Sequence, residues 1–139
     1  MGVDFGTKRV GLAVSDPTGT VATPLETVHR RTGKRPPLAE LERIGRSLGV
    51  QHVVLGLPLD LRGEENDWCK EVRDVGRRLG ERLGVPVSFV DERLTSVRAG
   101  AAVRASGLPK HEREKKERVD AAAAQLILQA WLDAPQIAR

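Results

Sequence analysis

Aromatic residues are scarce in this chain: no Tyr, two Trp and two Phe among 139 residues. Rows of aromatic side chains that stack on bases are therefore a poor candidate for its binding mode, and recognition of backbone and shape fits better. A single cysteine, Cys69, excludes an intramolecular disulfide and a cysteine-only metal site. Cys69 precedes Lys70 in an apparent helix and reads as a half-buried thiol rather than a nucleophile. No apolar run is long enough to span a bilayer, and no charged n-region leads into an apolar h-region at the start, so a cytoplasmic location without a membrane partner is expected. The opening MGVDFGT does not fit the myristoylation pattern, because Gly6 stands where Ser or Thr is required. Internal repeats and low-complexity tracts are also lacking.

Hydrophobic residues make up 40% of the chain. That is enough for one sizeable core, and a single domain over 1–139 is expected. The net charge is +4, and its distribution is uneven. HRRTGKR (29–35) holds four Lys and Arg with no acid, and Arg93 to Arg118 holds eight against three Glu. Clustered basic residues suit a polyanion such as nucleic acid. Arg93, Arg98, Lys115 and Lys116 are expected to contact phosphates.

The hydrophobic period changes along the chain. GVDF, then VGLAVSD (10–16) ending at the Asp16-Pro17 turn signal, then TVATPLETVHR (20–30) read as three strands of an antiparallel meander. Pro24 places the third at an edge. Leu38, Leu41, Ile44 and Leu48 then follow helical spacing up to Gly49. QHVVLGLP (51–58) reads as a buried parallel strand. Trp68, Val72, Val75, Leu79 and Leu83 form an amphipathic stripe stopped at Gly84. VPVSFVDE (85–92) is another buried strand. A helix over Arg93–Ser106, a charged linker LPKHEREKKE and an Ala-rich helix over Val119–Leu132 complete the order β-β-β-α-β-α-β-α-α. This predicts an α/β fold: a mixed five-stranded sheet, a three-strand meander plus parallel βα units, with helices on both faces. The ribonuclease-H-like fold has this order, as do domains of the actin and sugar-kinase type.

Three places carry acids that structure alone does not favour. Asp4 sits inside strand one, where Asp is depleted and an unpaired carboxylate is costly. Asp91 and Glu92 end the last strand, and Asp120 begins the last helix. Each has an ordinary reading. Asp4 with Gly6 could mark a hairpin turn, Asp91-Glu92 could be a solvated strand end beside Arg93, and Asp120 could favour the positive end of a helix dipole. Taken together they converge, because parallel strands present their carboxyl ends to one crevice. Alternation puts Asp91 on the face of Phe89 and Val87, and Glu92 on the face of Val90 and Ser88. Only one of the pair can readily face Asp4, and the spacing does not say which. Clustered carboxylates without His or Cys suit a hard cation, Mg²⁺ or Mn²⁺. Such ions, often in pairs, support hydrolysis of a phosphodiester.

GVDFGTKRVGLAVSD, VVLGLPLDLRGEE, VDERLTS and KERVDAAAAQLILQAWL together resemble the YqgF-type family, in order and at similar spacing over nearly the whole chain. Its members are described as Holliday-junction resolvases or as pre-16S ribosomal RNA nucleases, and it is similar to RuvC-type resolvases of ribonuclease-H-like fold. The resemblance implies a metal-dependent endonuclease. Its work would be resolution of four-way junctions in DNA recombination and repair, or processing of the 5′ end of pre-16S rRNA in ribosome biogenesis. It implies that Asp4, Glu92 and Asp120 form the catalytic metal site for two ions, with Asp91 supporting the site or holding Arg93. Thr7, Lys8 and Arg9 would lie beside the scissile phosphate. A homodimer would suit symmetric cutting of a junction. The chain departs from the family in two places. It has almost nothing before Gly2, where relatives carry several more residues, and the LPLDLRG loop has Asp60 and Arg62 where Asn and an acid are commoner. Two other readings are a sugar-kinase-like phosphate turn in DFGTKRVG, which requires a second such domain, and a non-catalytic nucleic-acid-binding or ribosome-assembly protein of the same fold.

Overall fold

The computed structural model describes residues 1–30, 35–93 and 112–135, with side chains throughout except at 112–118. Strands β1 (Gly2–Phe5), β2 (Arg9–Ser15), β3 (Ala22–Pro24) and β4 (Val28–His29) come first. Helix α1 (Leu38–Leu48), strand β5 (Val53–Leu57), helix α2 (Asp67–Leu83), strand β6 (Val87–Asp91) and helix α3 (Glu112–Asp133) follow. The sheet runs β3-β2-β1-β5-β6, with β4 also on β2. The meander pairs antiparallel, whereas β1–β5 and β5–β6 pair parallel.

The third expected strand is two. Its first part pairs with Ala13–Ser15 and its second with Arg9–Val10, and the ladder breaks between them just after Pro24. Proline has no N–H to continue a ladder and is tolerated at this edge. Two further expectations change. The linker expected at 108–117 is helical from Glu112, so Asp120 lies well inside α3 and not at its start. Leu48, expected on the buried stripe, is 44% exposed in the last turn of α1, and Cys69 is fully buried rather than half-buried. The helix expected over Arg93–Ser106 lies outside the described residues from 94 onward.

Gly49 and Gly84 end α1 and α2 in the left-handed region, at φ 64° and 68°, where a side chain would be strained. Asn66 starts α2 by accepting the Cys69 N–H on its side chain at 3.0 Å. Alternation then sorts the sheet into two faces. Val3, Phe5, Val10, Leu12, Val53, Leu55 and Leu57 pack with α1 and α2. The other face, with Ala13 and Val54, packs with Ala124, Ile127 and Leu128 of α3.

The α3 face is lined by small residues, and that sets how closely the helix seats. A Cβ on Gly2 would fall 2.7 Å from Leu128 Cβ and 2.8 Å from the Ala124 carbonyl oxygen. One on Gly11 would collide with the backbone carbonyl of Asp120. Neither obstacle is the far end of a flexible side chain, so the helix itself would have to move. Gly11→Ala is expected to destabilise the protein by about 1–3 kcal/mol through overpacking. A urea-unfolding midpoint equal to that of the parent protein would contradict this seating.

Candidate active site

Asp4 does not occupy a turn. It lies within β1 opposite Gly11, and the β1–β2 turn comes later, closed by the Gly6 N–H bonding to the Arg9 carbonyl at 2.9 Å. Alternation puts Asp4 on the α3 face with Gly2. The two strands flanking β1 each offer a glycine there. Gly11 on β2 admits the Asp120 backbone, and Gly56 on β5 admits Glu92. A Cβ on Gly56 would stand 2.5 Å from Glu92 Oε2 and 2.5 Å from Ile127 Cδ1. These two missing side chains leave the space in which the acids meet. Neither glycine was singled out from the sequence. The available signal was glycine inside a strand pattern, which often marks a close approach of another group.

Glu92, rather than Asp91, is the strand-end acid that faces Asp4, and the two carboxyl groups are hydrogen-bonded. Burial pushes Asp4 well above the usual carboxylate range, and the charge of Glu92, the hydrogen bond to it and the charge of Asp120 push it further. Burial also raises Glu92, opposed by its bond to Asp4 and assisted by the charge of Asp91. Both carboxyl groups of the pair are thus raised, Asp4 the more strongly. Asp91 points the other way. It accepts from Arg93 at 2.6 Å, and that pairing holds its carboxyl below the usual range.

Asp120 is near enough to act on Asp4 by charge, but its own partner is Arg9, whose Nε donates to Oδ2 at 2.7 Å. Among the described residues, no three of His, Cys, Asp and Glu form a ready-made metal cage. Asp4 and Glu92 are hydrogen-bonded to each other, and the third acid is tied to a cation. Thr7 and Lys8 are exposed at the turn. A residue that the sequence reading counts only within the basic stretch 29–35 supports that turn: Arg30 donates from Nη1 to the Gly6 carbonyl at 2.7 Å and lies 4.4 Å from the Phe5 ring centroid. Arg98 lies outside the described residues, as do the side chains of Lys115 and Lys116. No helix among the described residues is long and apolar enough to cross a membrane.

The sequence matches the family described as "RuvX: Holliday junction resolvase" over residues 1–134. The chain belongs to the RuvX family. Curated relatives agree. One from Anaeromyxobacter dehalogenans is 44% identical over 133 residues, covering 96% of this chain and 95% of its own, and carries the name "Putative pre-16S rRNA nuclease". One from Corynebacterium glutamicum with the same name is 42% identical, covering 96% of this chain and 78% of its own. Among solved structures, T. thermophilus RuvC in complex with a Holliday junction substrate superposes with a TM-score of 0.57 at 20% identity, over 95% of this chain and 94% of that one. A second Thermus thermophilus RuvC structure gives 0.58 at 15% identity, over 94% and 92%. At these identities the RuvC match shows the ribonuclease-H-like fold, while the nuclease class of this RuvX chain follows from its family.

The raised carboxyl groups make stability depend on pH in a defined direction. Carboxyl groups raised in the folded state keep protons that the unfolded chain has released. Their contribution is therefore full below the ordinary carboxylate range and is lost as pH rises through the raised values. In the absence of divalent ions, the parent protein should lose stability relative to Asp4→Asn as pH rises from the ordinary carboxylate range toward neutrality. Urea midpoints of the two proteins across that range check this. A variant that is less stable than its parent at neutral pH would mean that Asp4 is a structural acid.

Proposed function

We propose that this chain is a metal-dependent endonuclease that hydrolyses phosphodiester bonds in structured nucleic acid, with Asp4, Glu92 and Asp120 as the acids of its catalytic centre. The observation that carries the reading is the meeting of Asp4 and Glu92 inside the sheet, in space left by Gly56, with a third acid brought over Gly11 by α3. Such a grouping costs stability for no structural gain, and functional sites are where such costs are kept.

The donor set fits a hard divalent cation, Mg²⁺ or Mn²⁺. All donors are carboxylate oxygens, and a cation would offset the burial and the neighbouring negative charges that together raise Asp4. When bound, such ions, one or a pair, supply an activated water and charge stabilisation for the attacking and leaving oxygens. The remaining work falls to this chain's residues. Asp4 within β1 and Glu92 just after β6 present their oxygens across β5, over Gly56, and Arg9 fixes the direction of Asp120. Thr7 and Lys8, exposed on the turn that Arg30 supports, would receive a phosphate. Asp91 orients Arg93, which with Arg98, Lys115 and Lys116 would hold the nucleic-acid backbone.

The substrate is a four-way DNA junction or a precursor rRNA, the two classes that the names of the relatives suggest. The two differ in symmetry: cutting a junction symmetrically calls for a two-fold dimer, while trimming an RNA end requires one copy. The Arg9–Asp120 pair also suits a second reading, a nucleic-acid-binding chain of this fold without catalysis.

A Mn²⁺-dependent cleavage assay on both substrates, side by side, decides between these. Asp4→Asn and Glu92→Gln should each lower the cleavage rate roughly a hundredfold or more, since even groups that only support metal ligands are worth about 10–100-fold, while binding stays near normal. No cleavage of either substrate by the parent protein, with binding intact, would favour the second reading. A separate measurement tests the basic helix start. Changing Lys115 and Lys116 together to Ala should weaken binding equally for all sequences and reduce the salt slope by up to about 1.8 on duplex DNA. A loss confined to one sequence would contradict phosphate contact.

A further inference from the structure

Three large apolar side chains are exposed among the described residues: Val21, Leu48 and Leu61. Val21 lies between β2 and β3, and Leu48 ends α1 shortly before β5 begins. Both are at the sheet end remote from Asp4 and Glu92. Leu61 is different in place and degree. It is 98% exposed, and it sits in the connection from β5 to α2, at the carboxyl ends of the parallel strands where Glu92 emerges.

Single exposed leucines are ordinary on protein surfaces. This one stands on a built support. Asp60 Oδ1 accepts the N–H groups of Arg62 and Glu64, each at 2.9 Å. The backbone closes on itself, Asp60 N–H to Glu64 carbonyl and Gly63 N–H to Asp60 carbonyl, both 2.9 Å. Below it, the Pro58 carbonyl accepts from Asn66 Nδ2 at 3.1 Å and from Cys69 Sγ at 3.3 Å, which ties the loop to the start of α2. On the site side, Arg93 reaches the Leu61 carbonyl from Nη1 at 3.5 Å while Asp91 holds its guanidinium, and the Glu92 N–H bonds the Leu57 carbonyl at 3.3 Å. The loop is thus braced at its root, its middle and its flank, and Leu61 projects from its tip into water. The Asp60 oxygen that organises it is one an Asn side chain would also supply, so the departure from the family at this position leaves the turn chemistry intact.

We propose that Leu61 is an apolar wedge that enters between bases of the bound nucleic acid and unstacks a step beside the cleaved phosphate. The proposal rests on the nuclease reading above and goes beyond it. Three observations favour a base as occupant. Leu61 is flanked by Arg62 and Arg93, cations suited to the phosphates on either side of an opened step. Every Phe and Trp is otherwise engaged: Phe5 stacks on Trp68 at 5.6 Å, Arg73 covers Phe89 at 4.9 Å, and Trp131 packs on His52 at 4.4 Å. No aromatic platform therefore competes for the role. Leucine is among the side chains that proteins insert between base steps to kink a duplex.

The test uses 2-aminopurine, a base whose fluorescence rises on unstacking, placed next to the cleaved position in a four-way DNA junction and, separately, in an RNA hairpin. Binding is measured without divalent ions, so that it is read apart from cleavage. Parent protein should raise the fluorescence of one substrate or both, which identifies the nucleic acid concerned. Leu61→Ala should keep its melting temperature and bind, yet lose most of the rise. Leu61→Phe should retain it. With Mn²⁺, Leu61→Ala should cut the structured substrate roughly tenfold more slowly or worse, since unstacking a base is a substantial cost, while cutting a single-stranded oligonucleotide at close to the parent rate. An unchanged fluorescence rise in Leu61→Ala, or an equal loss of rate on both substrates, would overturn the wedge while leaving the nuclease reading standing. Failure of the parent protein to bind or cut either nucleic acid would overturn both, and would be visible before any variant is compared.

Discussion

The close seating of α3 on the sheet is the constraint on which the rest of the structure depends. A helix normally stands off a sheet by the thickness of two layers of side chains. Here Gly2 and Gly11 supply no side chain on one side, and a run of Ala supplies little on the other. The helix backbone comes down onto the sheet beside Asp4. The Ala-rich stretch thus does more than favour helix: it keeps the approach open. Because the obstacle at Gly11 is backbone, even one methyl group there would lift Asp120 from the site.

That approach brings negative charge into a place with little water. The fold meets the cost in three ways. Asp4 and Glu92 are hydrogen-bonded and both raised, Asp120 is matched by Arg9, and Asp91 is turned to the opposite face and matched by Arg93. The four acids are thus treated differently, by strand alternation as much as by distance. Asp91 and Glu92 are neighbours in sequence, yet one is lowered by a guanidinium at the surface and the other is raised by burial inside.

The same pairs connect the site to its surroundings. Arg9 belongs to the β2 end of the turn that carries Thr7 and Lys8, so the position of Asp120 and the shape of the turn are coupled. Arg93 links the strand-end acids to the β5–α2 loop. A basic residue that reads from sequence as a phosphate contact can therefore also be a strut. Arg9 and Arg93 are both, in this structure, first of all partners of acids.

Much of the fold was legible in the chain, because it rests on local rules. Helical and strand periods, the two glycines that end α1 and α2, and the edge proline each act over a few residues, and among the described residues the order they define is found apart from the division of the third strand. The legible part of the site was its list of acids, since an Asp inside an apolar strand is conspicuous wherever that strand goes. Other features were set only by tertiary structure. The boundary of α3 was misplaced because Glu112–Glu117 is charged, and charge alone does not separate a linker from an exposed helical turn. Whether Asp91 or Glu92 faces Asp4 depended on which face of β6 meets α3, and that is decided by packing of Val87 and Phe89 against α2. Gly11 and Gly56 draw notice only when something is seen to fill the space they leave. The sequence by itself determined which residues could be acids in a core. The tertiary structure decided which of them meet, because a carboxylate's charge state and partners depend on groups far away along the chain that arrive only when helix and sheet close together.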